Sequence, residues 1–415
     1  MNIIELMSPA GSFESLMAAI QGGANSVYFG IEHLNMRSRS SANFTIKDLS
    51  TITQICKENG IKTYLTLNTI LYDNELSLMH TIVDEAVNNN ITAIIASDIS
   101  VLQYARLKNI DIHISTQCNI TNIDAVRFYA LFADVMVTAR ELSLTQVKDL
   151  TQTIQKENIT GPSGNLVKIE AFAHGALCMA VSGKCYLSLD TYNYSANRGA
   201  CLQLCRRSYS VTDKEEGTQL EIDNQYIMSP KDLCTIGFLD KMIDAGISVF
   251  KIEGRGRSPE YVKTVTRCYR TALNAIQTGT YDQELIDQLT EELKTVYNRG
   301  FWEGYYLGKK MGEWAERYGS VATQKKIFVG TITNYFNKIG VAEVKIETND
   351  LAIGDKIVVL GPTTGVYEGT IKELRVNLSQ TQSVKKGDVC SIPVQKLVRR
   401  QDKLYKIIPS DLETL

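Results

Sequence analysis

Proline is scarce in this 415-residue chain, with 7 residues against 28 glycines, and no low-complexity tract accompanies them. That balance excludes a mainly disordered or fibrous chain. No stretch approaches the roughly 18 consecutive apolar residues that a membrane-spanning helix needs. The segment from Met1 to Gly11 has no basic cluster and carries Glu5 at its centre. It does not read as a secretory signal, so a cytoplasmic location without membrane contact is the expectation. A large charge of one sign is also missing: 44 Lys and Arg face 46 Asp and Glu, for a net charge of -2. A strongly basic nucleic-acid binder is thereby excluded for the chain as a whole. Neither of the Gly-rich phosphate loops, GxGxxG or GxxxxGK followed by Ser or Thr, occurs. HExxH and GxSxG are absent as well, which removes the usual zinc-protease and serine-hydrolase signatures.

What is present is an ordinary soluble balance, 44% hydrophobic and 22% charged residues, in a chain long enough for two or three domains. Short β-branched or apolar runs alternate with helical patterns through the first 250 residues. The runs are Ile3–Met7, Ser26–Gly30, Lys62–Leu67, Thr92–Ala96, Asp111–Ser115, Val135–Thr138, Val167–Ala173 and Val249–Ile252. Strand alternating with helix means βα units and a parallel sheet, and eight runs point to an α/β fold, a TIM-like (β/α)8 barrel. A ninth run, Gln225–Met228, complicates the count. An open doubly wound sheet is the alternative, but its phosphate loop is missing.

The barrel is expected over residues 1–257, with a cysteine-rich insertion at 175–235, too long for a βα connection. Residues 258–320 read as a helical extension. From Lys326 the period changes to two, and Gly354-Asp355 and Gly387-Asp388 supply turns. That pattern predicts a small antiparallel β-barrel over 325–410. It is mildly basic, with 14 Lys and Arg against 10 Asp and Glu from Lys325 to Leu415. Lys396, Arg399, Arg400 and Lys403 are candidates for an RNA-phosphate edge on this unit.

Five of the nine cysteines fall between Cys178 and Cys234. Four thiolates hold either zinc or an iron–sulfur cluster. No close CxxC knuckle is present, and the spacings of seven, sixteen and four from Cys178 through Cys185 and Cys201 to Cys205 suit the wider body of a 4Fe-4S cluster. Gly175, Gly183 and Gly199 offer the turns that would aim several sulfurs at one centre. Cys178, Cys185 and Cys201 are the first three ligand candidates, and Cys205 and Cys234 compete for the fourth place. Cys56, Cys118, Cys268 and Cys390 read as core.

The stretch from Glu170 to Ser188, EAFAHGALCMAVSGKCYLS, closely resembles the signature of the collagenase-like peptidase family U32. Leu6–Gly11, Asn197–Cys201, Met228–Leu233 and Lys251–Arg255 match further pieces in the family's order, over roughly residues 1–310. The C-terminal unit is similar to that of the family branch that hydroxylates tRNA. The resemblance implies an oxygen-independent hydroxylase with a cysteine-bound 4Fe-4S cluster. It also implies a tRNA partner, 5-hydroxyuridine at the wobble position as product, and prephenate as cosubstrate. Hydroxylation of rRNA or of a small molecule is the neighbouring activity, and peptidase activity is the rival. An assembly with itself or with another chain stays open.

The catalytic candidates are His174, Glu253 and Arg255. His174 stands at a strand end beside the first cysteine, where it would donate a proton or hydrogen-bond the cluster. Prephenate is a dianion, and Arg198, Arg206 and Lys251, with Arg255, are its candidate cationic partners. Ser8, Asn68, Asp98, Gln117, Arg140 and Glu141 also fall at predicted strand ends, the catalytic face of a barrel. Tyr186, Tyr192 and Tyr194 lie beside the cysteines and are candidates for stacking on an unpaired base.

Overall fold

Strands that are buried on both faces read as continuous apolar runs, and the eight runs of the first 250 residues have that character. The computed structural model describes residues 4–39, 43–210, 214–215, 226–308 and 312–410. The runs form β1 (Glu5–Pro9), β2 (Ser26–Phe29), β3 (Lys62–Leu67), β4 (Ala93–Ala96), β5 (Asp111–Ile114), β6 (Val135–Val137) and β7 (Lys168–Gly175). After β8 (Asp232–Cys234) comes the eighth of them, β9 (Ile247–Ile252). Each of β1 to β6 pairs in parallel with the next strand. β9 closes the ring by pairing in parallel with both β1 and β7. The TIM-like barrel is therefore present.

The helices between strands are α1 (Phe13–Gln21), α2 (Leu49–Glu58), α3 (Leu76–Asn88), α4 (Ile99–Leu107), α5 (Ile123–Tyr129) and α6 (Leu144–Lys156). Their starts are fixed by polar caps: Ser12 accepts from the Ser15 amide, and Ser143 and Gln146 form a capping box. In the insertion lies α7 (Leu187–Tyr192), and before β9 lies α8 (Leu239–Asp244). Two longer helices follow, α9 (Pro259–Thr278) and α10 (Gln283–Lys294), as the helical pattern predicts.

Two expectations need correction. Of the run Gln225–Met228, Gln225 lies outside the described residues and the other three form a turn. The extra strand is β8, which runs antiparallel to β7 with Cys234 opposite His174. The extension after the barrel also contains β10 (Phe301–Trp302), which adds in parallel to β8.

Residues alternate along each strand between the barrel interior and the helix layer. Met7, Tyr28, Tyr64, Ala93, Ile95 and Val249 meet inside the barrel. Leu6, Phe250 and Ile252 belong to the larger core outside, with α9 residues such as Tyr261 and Tyr269. On β7, Glu170 and Phe172 share a parity, and strict alternation would place His174 with them. The register slips between Phe172 and His174, which puts His174 opposite Ile252, an outward residue. This irregularity turns the histidine away from the barrel axis.

From residue 324 the chain is antiparallel. It forms β11 (Gln324–Phe336), β12 (Val341–Ile346), β13 (Leu351–Ala352), β14 (Lys356–Gly361), β15 (Gly365–Thr370), β16 (Arg375–Val376), β17 (Ser379–Gln380), β18 (Ser383–Val384), β19 (Val389–Pro393) and β20 (Lys403–Pro409). Eight of these make one sheet in the order β15-β14-β20-β11-β12-β19-β16-β17, and β13 pairs with β18. The sheet has its own core, which includes Val329, Val344, Val359 and Leu404. It is seated against α1 and α9. The Gln21 amide donates to the Thr364 carbonyl at 2.8 Å, Lys263 pairs with Glu368 at 2.7 Å, and Lys326 pairs with Glu260 at 2.8 Å. Val358, Leu360 and Val366 complete the barrel's own apolar core.

Candidate active site

The C-terminal ends of the barrel strands and the segments just beyond them enclose a cavity of about 260 Å³. Tyr28, Thr66, Ile95, Phe172 and Lys251 reach it from within strands, and Asn68, Gln117, Arg140 and Glu253 from just past strand ends. Arg37 arrives on the connection after β2, and the insertion supplies Cys178, Cys185, Cys201 and Cys205. This is the end of a parallel barrel where catalytic groups gather.

The lining is strongly cationic. Among the described residues Arg37, Arg140, Arg206, Lys251, Arg255, Arg257 and Arg299 face a single acid, Glu253. Glu253 pairs with Arg37 at 2.9 Å and accepts from the Tyr28 hydroxyl at 3.2 Å. Burial would raise its carboxyl, but Arg37, Arg140 and Arg255 outweigh that and push it down to about 2. Burial also lowers Arg255, to about 10, and the Arg255 guanidinium donates to Thr66 at 2.7 Å and Asn35 at 3.0 Å. Lys251 rests on Glu170 at 2.7 Å, and Glu170 meets His113 Nδ1 at 2.9 Å. The Arg140 guanidinium lies 4.1 Å from the Phe172 ring centre. Arg140 Nε, Thr116 Oγ1 and Asn197 Oδ1 are buried in residues that line the cavity, without a hydrogen-bond partner among the described residues. Buried polar atoms of this kind are met by ordered water or by a bound ligand.

The four thiols share one wall and feel one another. Cys205 is pushed up to about 11, first by burial and then by Cys178, Cys201 and Cys185, against the lowering effect of Arg206. Cys185 is raised by burial, with Cys178 and Cys201 adding to it and the Leu187 amide opposing. Two glycines shape the wall. Gly175 has φ +105°, and a Cβ there would lie 2.5 Å from the Glu253 carbonyl oxygen. Gly199 has φ +82°, and a Cβ would collide with Ser38 and Asn35. Among the described residues no three His, Cys, Asp or Glu side chains close on a point tightly enough for a single metal ion.

Other sequence candidates lie elsewhere. His174 is buried against α9, with Nδ1 3.3 Å from the Tyr269 hydroxyl, and it does not line the cavity. Burial, assisted by Arg257, holds its imidazole down at about 3. Cys234 is its neighbour on β8, 3.9 Å from the same hydroxyl, and is also outside the cavity lining. Arg206 lines the cavity, but its guanidinium is bound to the carbonyls of Leu177 at 2.5 Å and Pro230 at 2.6 Å. Arg198 does not line the cavity; it faces a second, smaller pocket, paired there with Glu75 at 2.7 Å. Of the remaining strand-end residues, Asn68, Gln117 and Arg140 line the cavity. Ser8 bonds Thr266 of α9, Asp98 caps α4, and Glu141 is exposed. Tyr186, Tyr192 and Tyr194 are exposed outside the cavity, as are Lys396, Arg399, Arg400 and Lys403 on the C-terminal unit. Arg37, Arg257 and Arg299 escaped the sequence reading because they sit in connections, which carry no strand or helix period.

A closed parallel barrel with a cavity at its strand ends, partly apolar and lined by several cations, is the architecture of an enzyme. The model of peptidase family U32 matches residues 11–316, and the chain belongs to that family. A collagenase of Porphyromonas gingivalis is 57% identical over 405 residues, covering 98% of either chain. The tRNA hydroxylation protein P1 of Bacillus subtilis is 30% identical over 416 residues, 98% of this chain and 94% of its own. A 23S rRNA 5-hydroxycytidine synthase of Escherichia coli is 35% identical over 277 residues, 66% of this chain and 40% of its own. The relatives thus carry both protease and RNA-hydroxylation names. Among the described residues no helix is long and apolar enough to cross a membrane.

Proposed function

We propose that this protein is an oxygen-independent tRNA hydroxylase that forms 5-hydroxyuridine at the wobble position, with a 4Fe-4S cluster and prephenate. The observation that carries the reading is the meeting of four thiols and seven cations in one cavity. Its wall of soft sulfur donors suits a cluster, because thiolates in fours are the usual ligands of one. Cys178, Cys185, Cys201 and Cys205 would hold the cluster. Once bound, it would supply a redox-active iron beside the anion site.

The chain's own groups then have separate tasks. Arg37, Arg140, Lys251 and Arg255 would bind and orient the two carboxylates of the cosubstrate. Glu253, ionised throughout the working pH range, orients Tyr28 and Arg37 and has no proton to donate. His174, neutral and buried away from the cavity, would take no part in the chemistry. The RNA substrate is supported by the hydroxylation names of two relatives.

The collagenase name of the 57% relative favours a peptidase instead. Against it, no histidine lines the cavity among the described residues, so its thiols lack an imidazole base. The test uses anaerobically purified full-length protein with tRNA from a strain lacking the gene. Prephenate-dependent appearance of 5-hydroxyuridine, with gelatin left intact, is the expected result. Gelatin cleavage by iron-free protein, with no new nucleoside, would overturn the reading.

A further inference from the structure

Outside the cavity, three tyrosines stand exposed along one strip of rim, and each carries an arginine. Tyr72 is 57% exposed, with the Arg198 guanidinium 3.8 Å from its ring centre. Tyr194 is 42% exposed, with Arg39 at 5.6 Å. Tyr192 is 45% exposed, with Arg207 at 5.8 Å and a 3.2 Å bond from that arginine to its hydroxyl. Two of the pairs are joined through the backbone, and Tyr192 of the third lies two residues before Tyr194. The Arg39 amide donates to the Gly199 carbonyl, next to Arg198, and the Ile70 amide donates to the Asn197 carbonyl. The same short segment places Ala196, Asn197 and Cys201 in the cavity lining. The strip and the cavity mouth are therefore one continuous surface.

A tyrosine with an arginine on one face has its ring oriented and its cation held beside it. Repeated three times, this presents flat surfaces interleaved with guanidinium groups, of which Arg198 is already held by Glu75 and Arg39 and Arg207 are the candidates for phosphate. We propose that this strip is a stacking path for single-stranded RNA, over which unpaired bases are laid while one nucleotide enters the cavity. The inference rests on the hydroxylase reading and adds to it the surface that receives the RNA. Charge alone does not select this partner, because Glu75 is bound to Arg198 and the exposed Asp190 precedes Tyr192 by two residues. The alternation of rings and guanidinium groups does, together with the seven-to-one cationic cavity into which it leads. A peptide would find the rings but has no repeated anion for the arginines.

The test compares the full-length protein with two triple variants, Tyr72→Ala/Tyr192→Ala/Tyr194→Ala and the same three positions changed to Phe. The probe is a fluorescently labelled anticodon stem-loop RNA, followed by anisotropy at several salt concentrations. Labelled gelatin is the control ligand, and thermal unfolding checks that the variants fold. Loss of a stacked base weakens binding roughly 5- to 150-fold per ring, so the triple Ala variant should bind RNA at least about a hundredfold more weakly. The Phe variant keeps the ring faces and should stay within about threefold of wild type. Wild-type protein that binds and hydroxylates RNA, beside an Ala variant of equal affinity, would overturn the stacking path alone. Wild-type protein that neither binds nor hydroxylates RNA would overturn the functional reading beneath it. A loss confined to gelatin binding would assign the strip to a peptide and overturn the proposal.

Discussion

Glu170 has no exposed surface, and its carboxylate oxygens are divided between Lys251 and His113. Burial would raise its carboxyl, but Lys251 first and then His113 hold it at about 2, below the ordinary 4.5. The stability it contributes is complete above about pH 4.5 and is lost as pH falls toward 2. Glu170→Gln strands a buried ammonium, so a loss of about 3–5 kcal/mol is expected, with a flatter acid limb. Urea midpoints measured from neutral pH downward check both, and an unchanged midpoint would contradict the pairing. His174 has the opposite chemistry. Its imidazole is held at about 3 against an ordinary 6.5, so the unfolded chain takes the proton first and stability falls as pH drops from 6.5 toward 3. His174→Phe should remove that component from the same curves. At the cysteines, Cys205→Ala should lose iron after anaerobic purification, whereas Cys234→Ala should retain it. Iron analysis that gave the reverse would return Cys234 to the ligand set. The clustering of these thiols was legible because cysteines rarely crowd without a shared task. The choice between Cys205 and Cys234 was not, because it depends on which side of β7 the segment packs.

Among elements, β7 contributes most to the site and hides most from the sequence. Its run of apolar residues announces a strand, but the slip between Phe172 and His174 is a hydrogen-bonding event that residue types do not record. A strict period of two would have put His174 in the cavity. The three-residue β8 was equally invisible, being too short to carry a period. The barrel strands were legible because burial on both faces leaves a plain compositional trace. Gly175 ends β7 at φ +105° against the Glu253 carbonyl. Gly175→Ala should therefore cost roughly 1–3 kcal/mol, from left-handed strain and displacement of the Glu253 segment. Its urea midpoint and its iron content should fall together, and a midpoint equal to wild type would show that the close approach is not needed.

At the scale of the whole molecule, two cores are joined at one seam. The C-terminal sheet has its own interior, yet Val358, Leu360 and Val366 belong to the barrel's core. A chain ended at Thr323 should lose several degrees of thermal midpoint and bind hydrophobic dyes, since α1 and α9 would be uncovered. An unchanged midpoint without dye binding would mark the seam as incidental. The change of period near Lys326 made the second unit legible, whereas its seat on α1 and α9 depends on side chains far apart in sequence, such as Gln21 with Thr364. The site likewise emerges only when the barrel closes, bringing Arg37 within 2.9 Å of Glu253 across more than half the chain. The most direct test is the 5-hydroxyuridine content of tRNA from a strain lacking the gene, complemented with wild type or with Cys205→Ala. The expected result is loss of the nucleoside on deletion, recovery with wild type and none with Cys205→Ala. An unchanged content in the deletion strain, or full recovery with Cys205→Ala, would contradict a hydroxylase that works through the cysteine-lined cavity.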